Sequence, residues 1–214
     1  MNSNMRSSPN AAHLTSQPGD PPWEIAFLFP VQGSWTEDDY LELDTSRLVE
    51  LSNGCVEVLP MPTILHQRIV RFLFLALHRF VADHSAGEVL FAPLPVRLWP
   101  EKFREPDLVY VREDRKEYRG RPEGADLLVE VVSEGDENRR RDLEIKRSEY
   151  ARAGIGEYWI VDPEERQIVV LSLEGDTYRE HGRFALGDSA MSLLLSGFEV
   201  AVSEVFAAGN ADSD

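Results

Sequence analysis

Cysteine is nearly missing from this chain: Cys55 is the one thiol in 214 residues. A lone cysteine excludes an intrachain disulfide and any Cys-based zinc cluster within one chain, and it favours a reducing compartment. Positive charge is also short. Against 38 acidic residues stand 22 lysines and arginines, a formal net charge of −16. That balance repels polyanions at long range and opposes non-specific binding to nucleic acid. It does not exclude such binding, because a local basic surface or a bound divalent cation reverses the potential where it matters. Long apolar runs are absent too. The greasiest stretch, 64–81, is interrupted by His66, Gln67, Arg68, Arg71, His78 and Arg79, so no membrane span is expected. Residues 1–22 are rich in Ser, Asn, Pro and Ala and lack the apolar run of a secretory signal. A cytoplasmic protein is the expectation.

The body of the chain is ordinary globular material. With 43% hydrophobic and 28% charged residues, it can bury a core without staples. The expected organisation is a tail over 1–22, one domain over 23–206 and a second tail over 207–214, with no internal repeat. Leu48-Val49-Glu50-Leu51 and Cys55-Val56-Glu57-Val58-Leu59 flank Ser52-Asn53-Gly54, and Asn-Gly between β-prone runs signals a hairpin. Apolar residues at Ile69, Phe72, Leu73, Ala76, Leu77 and Phe80 have helical spacing, predicting an amphipathic helix over 64–83 with Arg68, Arg71 and Arg79 towards water.

Glu88 to Phe91, Val96 to Trp99 and Leu108 to Val111 read as strands of a meander. After a turn-rich stretch, Asp126-Leu127-Leu128-Val129-Glu130-Val131-Val132 has the continuous apolar character of a strand buried on both faces. The charged segment 136–153 is helix-prone, with Gly154 placed to end it. Tyr158-Trp159-Ile160-Val161 is a further buried strand. This strand, helix, strand order predicts a crossover and an α/β fold with both strands in one sheet. Residues 167–173 and 177–180 resemble an outer hairpin.

Glu130 stands out. An ionised carboxylate inside an apolar strand costs several kcal/mol unless a cation or hydrogen bonds compensate it. Asp107, at the start of another strand, is a candidate second carboxylate, and two close carboxylates repel unless a proton or metal lies between them. A hard divalent cation such as magnesium takes oxygen ligands, needs only one or two protein carboxylates, and keeps waters free to attack a phosphodiester. Asp142, Lys146 and Tyr150 are spaced four apart on one helix face. Lys146 on that face can orient the attacking water and stabilise the extra charge of the transition state. Arg139, Arg140 and Arg141 make the same helix locally basic, a candidate phosphate contact.

At these residues the chain resembles the Uma-type family of restriction endonucleases, part of the PD-(D/E)XK nuclease superfamily. The resemblance spans roughly 35–206. It rests on Val49-Glu50-Leu51-Ser52-Asn53-Gly54, the helix start at His66, Glu105-Pro106-Asp107-Leu108, Leu128-Val129-Glu130-Val131-Val132-Ser133, Lys146 with Tyr150, and 154–162, Gly-Ile-Gly-Glu-Tyr-Trp-Ile-Val-Asp. It implies a restriction endonuclease-like core, a mixed central β-sheet flanked by helices with an N-terminal β-hairpin. It further implies Mg2+ or Mn2+ held by Asp107, Glu130 and the backbone carbonyl of Val131. DNA is then the substrate, and a homodimer suits the cutting of two strands. Two residues after the glutamate, where that superfamily carries lysine, this sequence has Val132. The resemblance moves the lysine role to Lys146 and adds Glu50 as an accessory acid near the metal.

Plainer readings stand beside these. Glu130 can be one half of a buried structural ion pair, and Asp142 with Lys146 an ordinary helix-surface pair. The arginine run can be a solvated face. His66, at a helix start, can simply cap or pack. Two further functions therefore stay open: a catalytically inactive nuclease-fold module that binds nucleic acid or protein, and a structural interaction protein.

Overall fold

The structure is a computed structural model that describes residues 29–210 other than Ser46 and Ser85. The expected tail 1–22 and the last four residues of the expected tail 207–214 lie outside the described residues. A short helix α1 (Glu37–Leu41) leads into the expected hairpin, β1 (Val49–Ser52) and β2 (Cys55–Val58). Its turn residues Asn53 and Gly54 both have positive φ, 50° and 74°, the twist that a two-residue hairpin turn demands. Helix α2 (Ile64–Asp83) occupies the predicted range. It buries Ile69, Leu73, Leu77 and Val81 along one stripe, each contributing about 1.5–3 kcal/mol of transfer free energy. Thr63 caps its N-terminus, its hydroxyl accepting the His66 N–H. Arg71 and Arg79 are exposed, whereas Arg68 is half-buried and reaches the Gly209 carbonyl at 3.4 Å.

The strands that follow are β3 (Glu88–Phe91), β4 (Val96–Trp99), β5 (Lys102–Arg104) and β6 (Leu108–Val111). They do not form the expected meander. β4 pairs with β5, which pairs with β1, giving a four-stranded sheet in the order β2-β1-β5-β4. β3 instead pairs with β6 in a second sheet. β5 itself escapes sequence reading because its Lys-Phe-Arg run carries charge on both outer residues, yet all three are buried. A small hairpin, β7 (Glu117–Tyr118) and β8 (Arg121–Pro122), decorates the turn-rich stretch.

The remaining elements build the main sheet. β9 (Leu127–Val131) is buried along its length, as predicted. It is followed by α3 (Asp136–Arg140), a π-helical turn over Arg141–Ile145 and α4 (Lys146–Arg152). Next come β10 (Glu157–Asp162), the hairpin β11 (Gln167–Glu174) and β12 (Thr177–Phe184), the pair β13 (Ser189–Met191) and β14 (Glu199–Ala201), and α5 (Val202–Asn210). The six-stranded sheet runs β12-β11-β10-β9-β6-β3. Only β9 and β10 are parallel, joined by the helical crossover, so the sheet is mixed and the fold is the expected α/β class.

Helices cover both faces. α2 and α5 pack on the face carrying Val129, Val131 and Trp159, while α4 packs on the face carrying Leu128, Val132 and Tyr158. α5 also extends the folded unit to residue 210, past the boundary expected at 206. Gly209 makes the approach of α5 to α2 feasible, since a Cβ there would lie 2.7 Å from Leu65 Cδ1. Among the described residues no helix is long and apolar enough to cross a membrane.

Candidate active site

Side chains alternate along a strand, so Glu130 shares its sheet face with Leu128 and Val132, the face that α4 covers. Leu108 pairs with Val129 in antiparallel register. One step beyond that pair puts Asp107 opposite Glu130. Asp107 Oδ2 accepts the Val131 N–H at 2.7 Å and lies 3.2 Å from His66 Nε2. Glu130 Oε1 accepts from Lys146 Nζ at 2.8 Å and from the Tyr150 hydroxyl at 2.6 Å. Asp107 Oδ1 and Glu130 Oε2 take no hydrogen bond among the described residues.

The π-helical turn sets the third side of the site. It carries Asp142, the helix after it carries Lys146 and Tyr150, and all three are buried. Lys146 Nζ lies 3.5 Å from Asp142 Oδ1 and 3.4 Å from Glu50 Oε1. This pair is therefore not a helix-surface ion pair, and the partner of Glu130 is a lysine. Glu50 arrives from the smaller sheet, where the Leu51–Phe103 pair sets it opposite Arg104. Arg104 Nη1 donates to Glu50 Oε2 at 2.5 Å and to Glu57 Oε2 at 3.0 Å. Its Nε and Nη2 donate to the two oxygens of Glu149 at 2.8 and 3.1 Å.

Sequence reasoning missed Arg104. The available signal was a basic residue beside Glu105-Pro106-Asp107, whose partners lie 45–54 positions away.

Charge at this junction is lopsided. Glu130, Asp142 and Glu50 surround Lys146, Asp107 stands opposite Glu130 on the neighbouring strand, and Arg104 lies on the far side of Glu50. Burial pushes the Glu130 carboxyl above its usual range, and the charges of Asp107, Asp142 and Glu50 push the same way, with Lys146 opposing them. Burial also works against an ionised Glu50, but Lys146 and Arg104 outweigh it and hold that carboxyl down to about 2. Burial disfavours a charged His66, whereas the contact with Asp107 and the charges of Glu130 and Asp142 raise its pKa overall. Lys146 is raised as well, its three carboxylates overcoming desolvation.

The donor set fits a hard cation. Two carboxylate oxygens without hydrogen bonds face an excess of buried negative charge, and Val131, whose carbonyl is the third candidate ligand, follows Glu130 directly. No group of three His, Cys, Asp or Glu side chains among the described residues forms a ready-made cage. A cleft of about 630 Å³ opens beside the group, lined by His66, Val132, Ser133, Asn138 and Arg139 among others.

The arginine run divides. Arg139 donates to both oxygens of Asp162 at 3.0 and 2.7 Å, so its guanidinium is already occupied. Arg140 is exposed beside Glu144 at 3.5 Å, and Arg141 leans on Asp142 at 3.4 Å. They do not form one phosphate-facing row. Asp107, Glu130, Lys146, Glu50, His66, Asp142 and Tyr150, by contrast, converge.

Comparison with curated proteins finds no match. Among solved structures, the chain is similar to a crystal structure of "a putative nuclease belonging to DUF820" from Anabaena variabilis ATCC 29413. The TM-score is 0.67 at 17% identity, covering 84% of this chain and 99% of that one. At that identity the likeness establishes the fold alone. The sequence itself supplies the family: residues 37–203 match the Uma2 family, described as "Putative restriction endonuclease", and the chain belongs to it.

Proposed function

We propose that the protein is a divalent-metal-dependent endonuclease that hydrolyses phosphodiester bonds of DNA. The observation carrying this reading is the pair of open oxygens, Asp107 Oδ1 and Glu130 Oε2, set across two paired strands beside the buried ammonium of Lys146. Those oxygens, with the Val131 carbonyl, would hold Mg2+ or Mn2+. Bound there, the ion would act as a Lewis acid on the phosphoryl group and make water a nucleophile near neutral pH. Tyr150 fixes Glu130 by occupying Oε1, which leaves Oε2 to the cation. Lys146 supplies positive charge where the phosphoryl oxygens gain negative charge, an interaction that strengthens in the transition state. Asp142 and Glu50 hold Lys146 protonated and in place.

The test is cleavage of supercoiled and linear DNA with Mg2+ or Mn2+, comparing wild type with Glu130→Gln. Loss of at least about a hundred-fold in rate is expected, and full activity in the variant would sink the assignment. One observation favours the alternative of an inactive nuclease-fold module: Lys146 is already engaged by three carboxylates. Under that reading, calorimetry would detect no divalent-metal binding to the folded protein.

A further inference from the structure

A second groove, of about 580 Å³, meets the cleft of the candidate site at Thr63, which lines both. It runs along the first half of α2, between Ile64, Arg68, Arg71 and Phe74 on the helix and Phe91 at the end of β3. Among the described residues no aspartate or glutamate lines it, in a chain of net charge −16. The neighbouring cleft does carry acids, Glu134 and Glu164. The groove is also unusually apolar for a surface feature. Ile64 is 72% exposed and Phe91 56%, and the Phe91 ring is braced edge-on by Phe74 at 4.9 Å between centroids.

We propose that this groove binds an unpaired, single-stranded stretch of the nucleic acid and leads it to the Asp107–Glu130 site. The inference rests on the nuclease reading above and adds the substrate's form. Exposed aromatic and aliphatic faces bind bases, which a duplex hides in its stack, while arginines beside them meet the phosphates. A braced ring loses little freedom when a base stacks on it. The absence of acids along the track matters most, since a net charge of −16 opposes phosphates at long range. A second copy of the chain fits less well. A two-fold contact through this face would set its arginines against their own counterparts and bring two strongly acidic bodies together.

The experiment measures binding of labelled oligothymidine, and of a duplex of equal length, to the full chain in EDTA, by fluorescence anisotropy. Wild type is compared with Phe91→Ala and Arg71→Glu, both at exposed positions, with circular dichroism as the folding control. The single strand should bind more tightly than the duplex. Each substitution should weaken it about ten-fold, and with two arginine contacts log K should fall with log salt at a slope of about −1.4. Equal affinity in the variants overturns the inference. So does a wild-type dimer in sedimentation that Phe91→Ala dissociates, which would assign the groove to self-contact. Metal-dependent cleavage with groove variants indistinguishable from wild type overturns the groove and leaves the nuclease. Groove-dependent binding without any cleavage does the reverse.

Discussion

At the scale of single residues, Lys146 is the pivot: one buried ammonium serves Glu130, Glu50 and Asp142. Replacing it with methionine keeps the volume and leaves buried carboxylates without their cation. Lys146→Met should therefore cost about 3–5 kcal/mol in urea unfolding at neutral pH, and adding Glu130→Gln should recover part of that loss. Additive effects of the two substitutions would show that the pair is not coupled. His66 acts through Asp107. Two groups, its Nε2 and the Val131 N–H, meet Asp107 Oδ2 and leave Oδ1 open, while its buried Nδ1 has no hydrogen-bond partner among the described residues. His66→Phe keeps the ring and removes the donor, so Mn2+ affinity by calorimetry should drop about ten-fold, and His66→Gln should restore much of it. Phenylalanine binding metal as well as histidine does would reduce His66 to packing. Glu130 was legible in the sequence because a charge in an apolar strand demands a partner. Arg104 was not, because nothing local distinguishes an arginine that will meet Glu50 and Glu149 from one bound for solvent.

Among the elements, those with a local cause were readable. Asn53-Gly54 fixes a hairpin, the apolar spacing fixes α2, and the crossover fixes β9 beside β10. The division of β3 to β6 between two sheets was not readable, since adjacent strands in sequence form a meander only when nothing else competes. Here β1 competes, through the buried contact of Glu50 with Arg104 and the half-buried contact of Ser52 with Lys102. The π-helical turn also lay beyond sequence reading, as Asp142, Lys146 and Tyr150 have the spacing of a plain helix. It carries Asp142, whose Oδ1 lies 3.5 Å from Lys146 Nζ. Deleting the exposed Glu144 should return the turn to α-helix, change the spacing of Asp142 and Lys146 from four residues to three, disturb their 3.5 Å contact and leave the overall fold unchanged. Cleavage should fall at least about ten-fold while far-ultraviolet dichroism holds; an active deletion variant would show that this contact does not matter.

For the molecule as a whole, buried acids link stability to pH and, under the proposed function, to a divalent cation. Burial and the charge of Glu50 raise the Glu105 carboxyl to about 7, and Glu130 and His66 are raised too. A group whose folded pKa exceeds its unfolded value stabilises fully below the unfolded pKa and loses that contribution as pH climbs through the folded one. For Glu105 the window runs from its ordinary value of 4.5 to about 7, and the other two groups add in the same direction. Glu50 works oppositely: lowered from 4.5 to about 2, it stabilises above pH 4.5 and loses that effect as pH falls towards 2. The metal-free protein should thus be most stable in mildly acidic solution, and its melting temperature should fall as pH rises from about 5 to 8. A net charge of −16 deepens the fall, because each lost proton adds repulsion. A divalent cation binds the deprotonated carboxylates, so it competes with their protons. With millimolar Mg2+ or Mn2+ the gain in melting temperature should therefore grow with pH over the same range, and in Glu130→Gln most of that gain should vanish. Identical melting curves with and without metal at every pH would remove the cation from this site, and with it the hydrolytic chemistry assigned to Asp107 and Glu130.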